Sequence, residues 1–577
     1  MDKDKASYEK GDCEEVKMVY VYAKQSKINR YVGRELSLED IEMTLKDLGM
    51  DIKGVSDEKD PELKIEITAE KLDFVSAVGI SRAIKYYLGF EKKIPQYELL
   101  DGKFEVIVEE SAKLSRPKTV AAIIRNVPMD ENFLDEIIEI QEKIHESFAR
   151  GRKKAAIGIY PLDMISFPVV YRSEKPEDIK FRPLLSDSEM NGKQIVETHE
   201  TGKKFAHLLK DCSAYPVFRD SKGKVLSMPP IINSYDTGRV EIEHRDLFIE
   251  CSGYNMQLLD NVLKVLVTTF ADMGAQIEKV KVVYDDGDLY QLNLDAFVDK
   301  ISLSYINSLI GIDINKNDAE KYLNKMMYGL KSVKGDILEI EVPVFKSDVW
   351  NDCDVADDIA RGYGYNNIIP KFPNISSIGE TLPFSKFRDR VSNSFTSQGF
   401  LETYTYMLTS TQIQFKKMGL GDEESAIKLI DSADQGINMI RTMILPESLQ
   451  TLHINRKNKY PQKIFENGFV IVPDLKSETK AKDEAHLSVS IADPKSNYTL
   501  IKTYLDSFFS LNEIEFEVKE SEKSFLIEGR RADVFVKGEY VGFIGEVHPK
   551  VLTNFGLIVP VSSFELNLEK IWELNNN

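Results

Sequence analysis

The chain has 577 residues, 42% of them hydrophobic and 29% charged, which is enough to build several cores and excludes a disordered or collagen-like chain. Its 75 Lys and Arg against 94 Asp and Glu leave a net charge of −19, which excludes a polybasic coat for nucleic acid and confines any RNA contact to local patches. Four scattered cysteines, Cys13, Cys212, Cys251 and Cys353, speak against a zinc ribbon or a disulfide framework, and no run approaches the roughly 18 apolar residues that span a bilayer, so a cytoplasmic protein is expected. Residues 1–17 are polar and read as an extension, and MVYVYA from Met18 reads as the first strand. Ser37 and Asp40 make a capping-box signature ahead of Ile41, Leu45 and Leu48, with Gly49 as the stop. Leu63, Ile65 and Ile67 alternate with charged residues as a strand does, and a helix is expected over 73–88, closed by Gly89. Residues 18–90 thus form a small α/β domain.

From 91 to 275 short strands, a helix over 133–150 and Pro or Gly punctuation predict an α+β domain. From 280 to 370 a helix ending near Gly311, a second capped by Asn317 and stopped by Gly329, and the alternating strand Leu338, Ile340, Val342 resemble a winged-helix-like module. A long helix through FSKFRDRVSNSFTSQGF opens the last domain, 375–577, which continues in strands. The chain as a whole is read as α+β and multidomain. Neither a G-x-x-x-x-G-K-[ST] nor a G-x-G-x-x-G loop occurs.

Two constellations carry chemistry. In VPVFKSDVWNDCDVADDIARGYGYNNI, Asp354, Asp357 and Asp358 share one side of a helix and Asp348 ends the preceding strand. Converging carboxylates of this hardness suit Mg²⁺; equally, acidic residues in a first helical turn cap the helix and complement its dipole. In MPPIINSYDTGRVEIEHRDLFIECSGYN, the polar Asn233, Ser234, Glu250, Ser252 and Asn255 flank apolar strands and suit either a pocket mouth or ordinary turns and a solvated strand. Arg150, Arg152, Lys153 and Lys154 offer a basic patch for a phosphate backbone, or charge at a helix C-terminus.

The acidic segment, together with ITAEKLDFVSAVGISRAI, AAIGIYPLDMISFPVVYR, DIKFRPL, VLSMPPIINS, LFIECSG, IRTMILPESLQTL, KIFENGFVI and IGEVHPKVLTNFGL in that order, resembles the beta subunits of phenylalanine–tRNA ligase of the archaeal and eukaryotic cytosolic type. The resemblance covers nearly everything after Met18. It implies a heterotetramer of two alpha and two beta chains that attaches phenylalanine to tRNA(Phe) with ATP as substrate, amino-acid activation residing on alpha. It implies Mg²⁺ held by Asp348, Asp354, Asp357 and Asp358 at a site shared with alpha. It makes 91–275 an editing-type domain that hydrolyses tyrosine misattached to tRNA(Phe), and 375–577 a class II synthetase-like antiparallel sheet domain without catalytic motifs, in which Arg441, Arg530 and Arg531 are expected to be structural or interface residues rather than ATP ligands, and His453 and His548 core or surface histidines rather than catalysts.

A pocket shaped for phenylalanine discriminates against an added hydroxyl by only about 100-fold, so a second site that demands the hydroxyl is needed. Glu250 and Asn255 are the candidates to read a phenol, and Ser252 or a water held by Asn233 the candidates at the ester. Relatives commonly carry Thr and Asp where Tyr254 and Asn255 stand, and the rival expectation is a tRNA-binding scaffold without hydrolytic activity.

Overall fold

The computed structural model describes residues 19–576 apart from 69–70, 422–425, 431, 433 and 435; the expected extension 1–17 lies outside them. The chain divides into two compact units, Glu14–Phe372 and Pro373–Asn577.

In the first unit the strand Val19–Lys24 and the strand Asp51–Val55 flank Glu62–Ile67 in an antiparallel sheet. The helix Leu38–Asp47 starts where the capping box predicts, with the Ser37 hydroxyl accepting from the Asp40 amide at 3.1 Å. The helix expected over 73–88 begins later, as Ala77–Tyr87 capped by Ser76, because Leu72–Phe74 forms a separate 3-10 turn.

Two sheets build the middle of the unit. The five-stranded sheet runs Leu99–Leu100, Gln276–Lys279, Lys118–Arg125, Leu247–Gly253, Ala155–Pro161; the seven-stranded sheet contains Val225–Met228, Tyr215–Arg219, Val169–Glu174, Glu105–Val108 and Lys281–Tyr284 in that order. Alternation along Leu247–Gly253 decides what each face does. Ile249 and Cys251 pack with the helices Glu131–Glu146 and Met256–Asp272, while Phe248 faces Tyr160, Tyr171 and Phe218 between the sheets. Glu250 and Ser252 share the parity of Phe248 and are therefore carried into that interior. The sheets also extend the domain past the expected boundary at 275, since Lys281–Tyr284 pairs in parallel with Glu105–Val108, a long-range pairing that local periodicity does not reveal.

The expected winged-helix-like segment is a three-stranded sheet, Phe297–Ser302, Ile337–Val342, Gly329–Lys334, with the helices Leu303–Ile310, Lys316–Lys325 and Asp352–Tyr363. The second helix is capped by Asn315 rather than Asn317: the Asn315 carboxamide accepts from the amides of Asn317 and Asp318 at 3.0 and 3.1 Å. One continuous apolar core runs through this unit from Val21 to Ile359, so the three expected domains within it share packing.

The second unit is a seven-stranded sheet, antiparallel except for its short edge strand Leu401–Glu402. The helices Pro383–Ser397 and Tyr498–Leu511 cover one face; Leu445–Ile454 and Pro549–Phe555 cover the other. No helix among the described residues is long and apolar enough to cross a membrane.

Candidate functional site

Between the two sheets of the first unit, Glu250 stands beside Gly158 on one neighbouring strand and Ala121 on the other, 1% exposed. Its Oε1 accepts from the Tyr160 hydroxyl at 3.0 Å, and that phenol lies 2.7 Å from the Ser227 Oγ. The Tyr160 hydroxyl thus links Ser227 to Glu250. Gly158 is required here. A Cβ on it would stand 2.1 Å from the Tyr160 oxygen and 2.4 Å from Glu250 Oε1. Asn233 pairs with Ser227 across the strand edge, and its Cβ would lie 2.8 Å from a Cβ on Gly238, whose own nearest ring is Tyr160. The structure therefore brings Asn233, Glu250 and Ser252 into one neighbourhood.

Arg116 completes it. The guanidinium is buried, donates through Nη2 to the Ser252 carbonyl at 2.8 Å and faces the Tyr254 ring at 5.1 Å. Three buried polar atoms of this cluster, Glu250 Oε2, Ser252 Oγ and Arg116 Nε, have no hydrogen-bond partner within the protein. Unpaired buried polar groups each cost on the order of 1–3 kcal/mol, so their concentration singles this place out as a candidate binding site. Burial pushes the Glu250 carboxyl up to about 8, against a smaller opposing pull from the Tyr160 hydrogen bond and Arg116. At neutral pH it is mainly a carboxylic acid, able both to donate and to accept.

Asn255 is not part of the cluster. It is exposed, and its carboxamide accepts from the Leu258 amide at 3.0 Å as the N-cap of Met256–Asp272, a task that draws it to the helix end. An aspartate would cap equally well. Ser227, Tyr160 and Arg116 were not legible in the sequence, since each sits among apolar or turn residues with no motif of its own. The basic patch divides as well: Arg152 is bound to the carbonyls of Pro230 and Ile231 at 3.1 and 3.0 Å, whereas Arg150 and Lys153 are exposed. The helix ends at Glu146, so these charges stand beyond its last turn.

The four aspartates meet only in part. Asp358 is 2% exposed; its Oδ2 accepts from the Tyr328 hydroxyl at 2.6 Å and from Lys346 Nζ at 2.7 Å. Lys71 bonds to Asp348 and stands 3.8 Å from Asp358 Oδ1, an oxygen with no hydrogen-bond partner. Burial would raise the Asp358 carboxyl, but Lys346 and Lys71 outweigh it and hold it below the usual range. Asp354 instead accepts from the amides of Trp350 and Asn351, both at 2.8 Å, as the third residue of a capping box. Asp357 pairs with Arg361 at 2.9 Å and with the Tyr365 hydroxyl. Among the described residues no group of three or more His, Cys, Asp or Glu side chains stands ready to hold a metal. Carboxylate chemistry and the unpartnered Asp358 Oδ1 nonetheless suit a hard cation whose other ligands come from elsewhere.

In the second unit the expected structural roles are visible. Arg441 is 2% exposed and donates to Glu466, Thr405 and the Phe469 carbonyl, each at 2.7 Å. Arg530 pairs with Glu546 and Arg531 donates to the Lys523 carbonyl. His548 accepts from the Lys550 amide as a helix cap, and His453 lies against the Gly556 carbonyl.

Against known proteins, residues 300–365 match the family model described as tRNA synthetase B5 domain, and residues 368–568 the one described as phenylalanyl tRNA synthetase beta chain CLM domain. The phenylalanine–tRNA ligase beta subunit of Pyrococcus horikoshii is 36% identical over 95% of this chain and 98% of its own. That of Archaeoglobus fulgidus is 33% identical over 91% and 94%. The crystal structure of an N-terminal fragment of the Pyrococcus horikoshii phenylalanyl-tRNA synthetase beta subunit covers 60% of this chain and 99% of the fragment, with 34% identity and a TM-score of 0.58.

Proposed function

The chain belongs to the family of phenylalanine–tRNA ligase beta subunits, components of an aminoacyl-tRNA synthetase, and from that premise we propose that it both completes the ligase with an alpha subunit and hydrolyses tyrosine misattached to tRNA(Phe). The observation that carries the hydrolytic reading is the trio of unpaired buried atoms, Glu250 Oε2, Ser252 Oγ and Arg116 Nε.

A tyrosyl phenol reaching Glu250 Oε2 would satisfy it; a phenylalanyl ring would leave it unpaired and bury a carboxyl without compensation. Sites built on a hydrogen bond of this kind reject the analogue lacking the hydroxyl far better than an apolar pocket rejects an extra one. Two residues along the strand, Ser252 lies about 6.6 Å from Glu250, at the depth of the ester when the phenol is bound. There Ser252 and Asn233 hold the water that attacks the ester carbonyl, and tyrosine and free tRNA leave.

Alpha carries amino-acid activation with ATP, and the assembly contains two alpha and two beta chains in the cytoplasm. Support for a large protein interface comes from exposed aromatic residues next to the edge strand of the second unit, Tyr404 at 91% and Tyr406 at 89%. A Mg²⁺ shared with alpha would be held by Asp348, Asp354, Asp357 and Asp358, and would neutralise carboxylates that the chain alone balances with Lys71, Lys346 and Arg361.

The test is deacylation of tyrosyl-tRNA(Phe) by the co-expressed alpha–beta complex, with the phenylalanyl ester as control. Selective hydrolysis that an Asn233→Ala, Glu250→Ala double variant abolishes while charging continues supports the reading. Decay of both esters at the uncatalysed rate makes the chain a scaffold.

A further inference from the structure

The environment of Tyr254 assigns it a task. The Tyr254 ring is 51% exposed, stands on the strand end directly after Gly253, and is backed by the buried Arg116 guanidinium at 5.1 Å. Arg116 is the common neighbour of the whole row: it donates to the Ser252 carbonyl, its charge acts on Glu250, and it lies against the Tyr254 ring. The loop bearing Arg150 and Lys153 abuts the same strand end. A Cβ on Gly253 would lie 2.4 Å from the Lys154 carbonyl, and Arg116 Nη1 is 3.4 Å from the Lys153 carbonyl.

We propose that Tyr254 is a stacking seat for the terminal nucleobase of an aminoacyl-tRNA at the mouth of the Glu250–Ser252 site, with Arg150 and Lys153 facing the adjoining phosphates. The inference rests on the hydrolytic reading and follows from the order of groups in the substrate. An aminoacyl-tRNA places, in sequence, a side chain, an ester, a ribose and a base. Glu250 and Ser252 stand one two-residue step of about 6.6 Å apart on the strand, and Arg116 carries the row on from the Ser252 carbonyl to the Tyr254 ring just past the strand end, so the group beyond the ester comes to Tyr254. A half-exposed ring held from behind by a guanidinium offers its free face to a base, and exposed cations beside it suit phosphate. Stacking of one base on an aromatic ring changes binding by roughly 5- to 150-fold, and every base offers a π face.

The probe is tRNA(Phe) ending in 2-aminopurine and carrying a non-hydrolysable tyrosyl amide, titrated into the alpha–beta complex with the synthetic site of alpha filled by phenylalanine and a non-reactive ATP analogue. The expected result is quenched 2-aminopurine fluorescence in the wild type, Tyr254→Phe and Tyr254→Trp, and loss of the quench with at least about 5-fold weaker binding in Tyr254→Ala. Hydrolysis of the true tyrosyl ester should show the same change in KM with kcat nearly unchanged. Equal quenching in Tyr254→Ala overturns the proposal, as does faster hydrolysis of both esters by that variant, which would make the ring a cover over the site. A Tyr254-dependent quench without hydrolysis of either ester would sustain the nucleobase seat while refuting the hydrolytic function; selective hydrolysis indifferent to Tyr254 would do the reverse.

Discussion

Glu250→Gln separates the energetic cost of the candidate site from its chemistry. The native carboxyl is pushed from its ordinary 4.5 up to about 8 by burial, so between those values the folded chain keeps a proton that the unfolded chain releases. Stability therefore falls as pH rises across that window, at about 1.4 kcal/mol per pH unit. The accumulated cost is about 3 kcal/mol at pH 7 and approaches 5 above pH 8; below pH 4.5 it vanishes. Glutamine has nearly the same shape, can still accept from Tyr160, and never ionises. Relative to the variant, the wild type should match at low pH and fall progressively behind.

Because the protein has two units, a single unfolding free energy is poorly defined, and the measurement is hydrogen exchange at the amides of Leu247–Gly253 in the intact complex, corrected for intrinsic rates. Protection in the wild type should decline from pH 5 to pH 8 relative to Glu250→Gln, by up to two or more powers of ten if this strand opens with the sheet. The variant should also lose the preference for the tyrosyl ester. Parallel protection curves would refute the assignment of Glu250 as a buried, unpaired acid.

Asn255→Asp should leave hydrolysis and its selectivity unchanged, whereas Asn255→Ala should cost about 1 kcal/mol of local helix stability with the same selectivity, read by exchange in Met256–Asp272. Asp358→Ala strands Lys346 and Tyr328 in a buried setting and should destabilise the first unit by about 3–5 kcal/mol even in chelator. Asp354→Ala removes only a capping box and should cost about 1 kcal/mol, so a much larger loss of complex assembly that tracks Mg²⁺ concentration would report the shared metal. His486 is raised to about 9: burial opposes its charge, but hydrogen bonds to Glu484 and Glu565 prevail. Its contribution to the second unit is complete below pH 6.5 and is lost as pH rises through 9, so melts of His486→Gln should converge with the wild type only at alkaline pH.

Much of the architecture was legible because its signals are local. The Ser37 cap, the Gly311 stop and the alternation at Leu338, Ile340 and Val342 each rest on a few adjacent residues, and each recurs in the structure. What failed was non-local. The strand Lys281–Tyr284 belongs to the middle sheets through its partner Glu105–Val108, and nothing near residue 275 announces that pairing. Asn317 was the expected cap of the helix Lys316–Lys325, but it is the Asn315 carboxamide that reaches two amides at once.

The same distinction runs through the candidate site. Glu250 and Ser252 could be singled out because polar residues in an apolar strand are conspicuous in one dimension. Arg116, Tyr160 and Ser227 could not, since each matters only through strands that are far apart in the chain and adjacent in the sheets. Asn255 misled because a helix cap and a pocket carboxamide are the same residue type, here two positions past a strand. Its reassignment changes the functional argument: Asn and Asp serve a cap equally well, so the residue type at 255 decides nothing about the pocket, while Glu250 remains buried with one oxygen unpaired. Apolar side chains in that place would remove the cost of leaving Glu250 Oε2, Ser252 Oγ and Arg116 Nε without partners, and a bound substrate that pairs with them would offset the same cost.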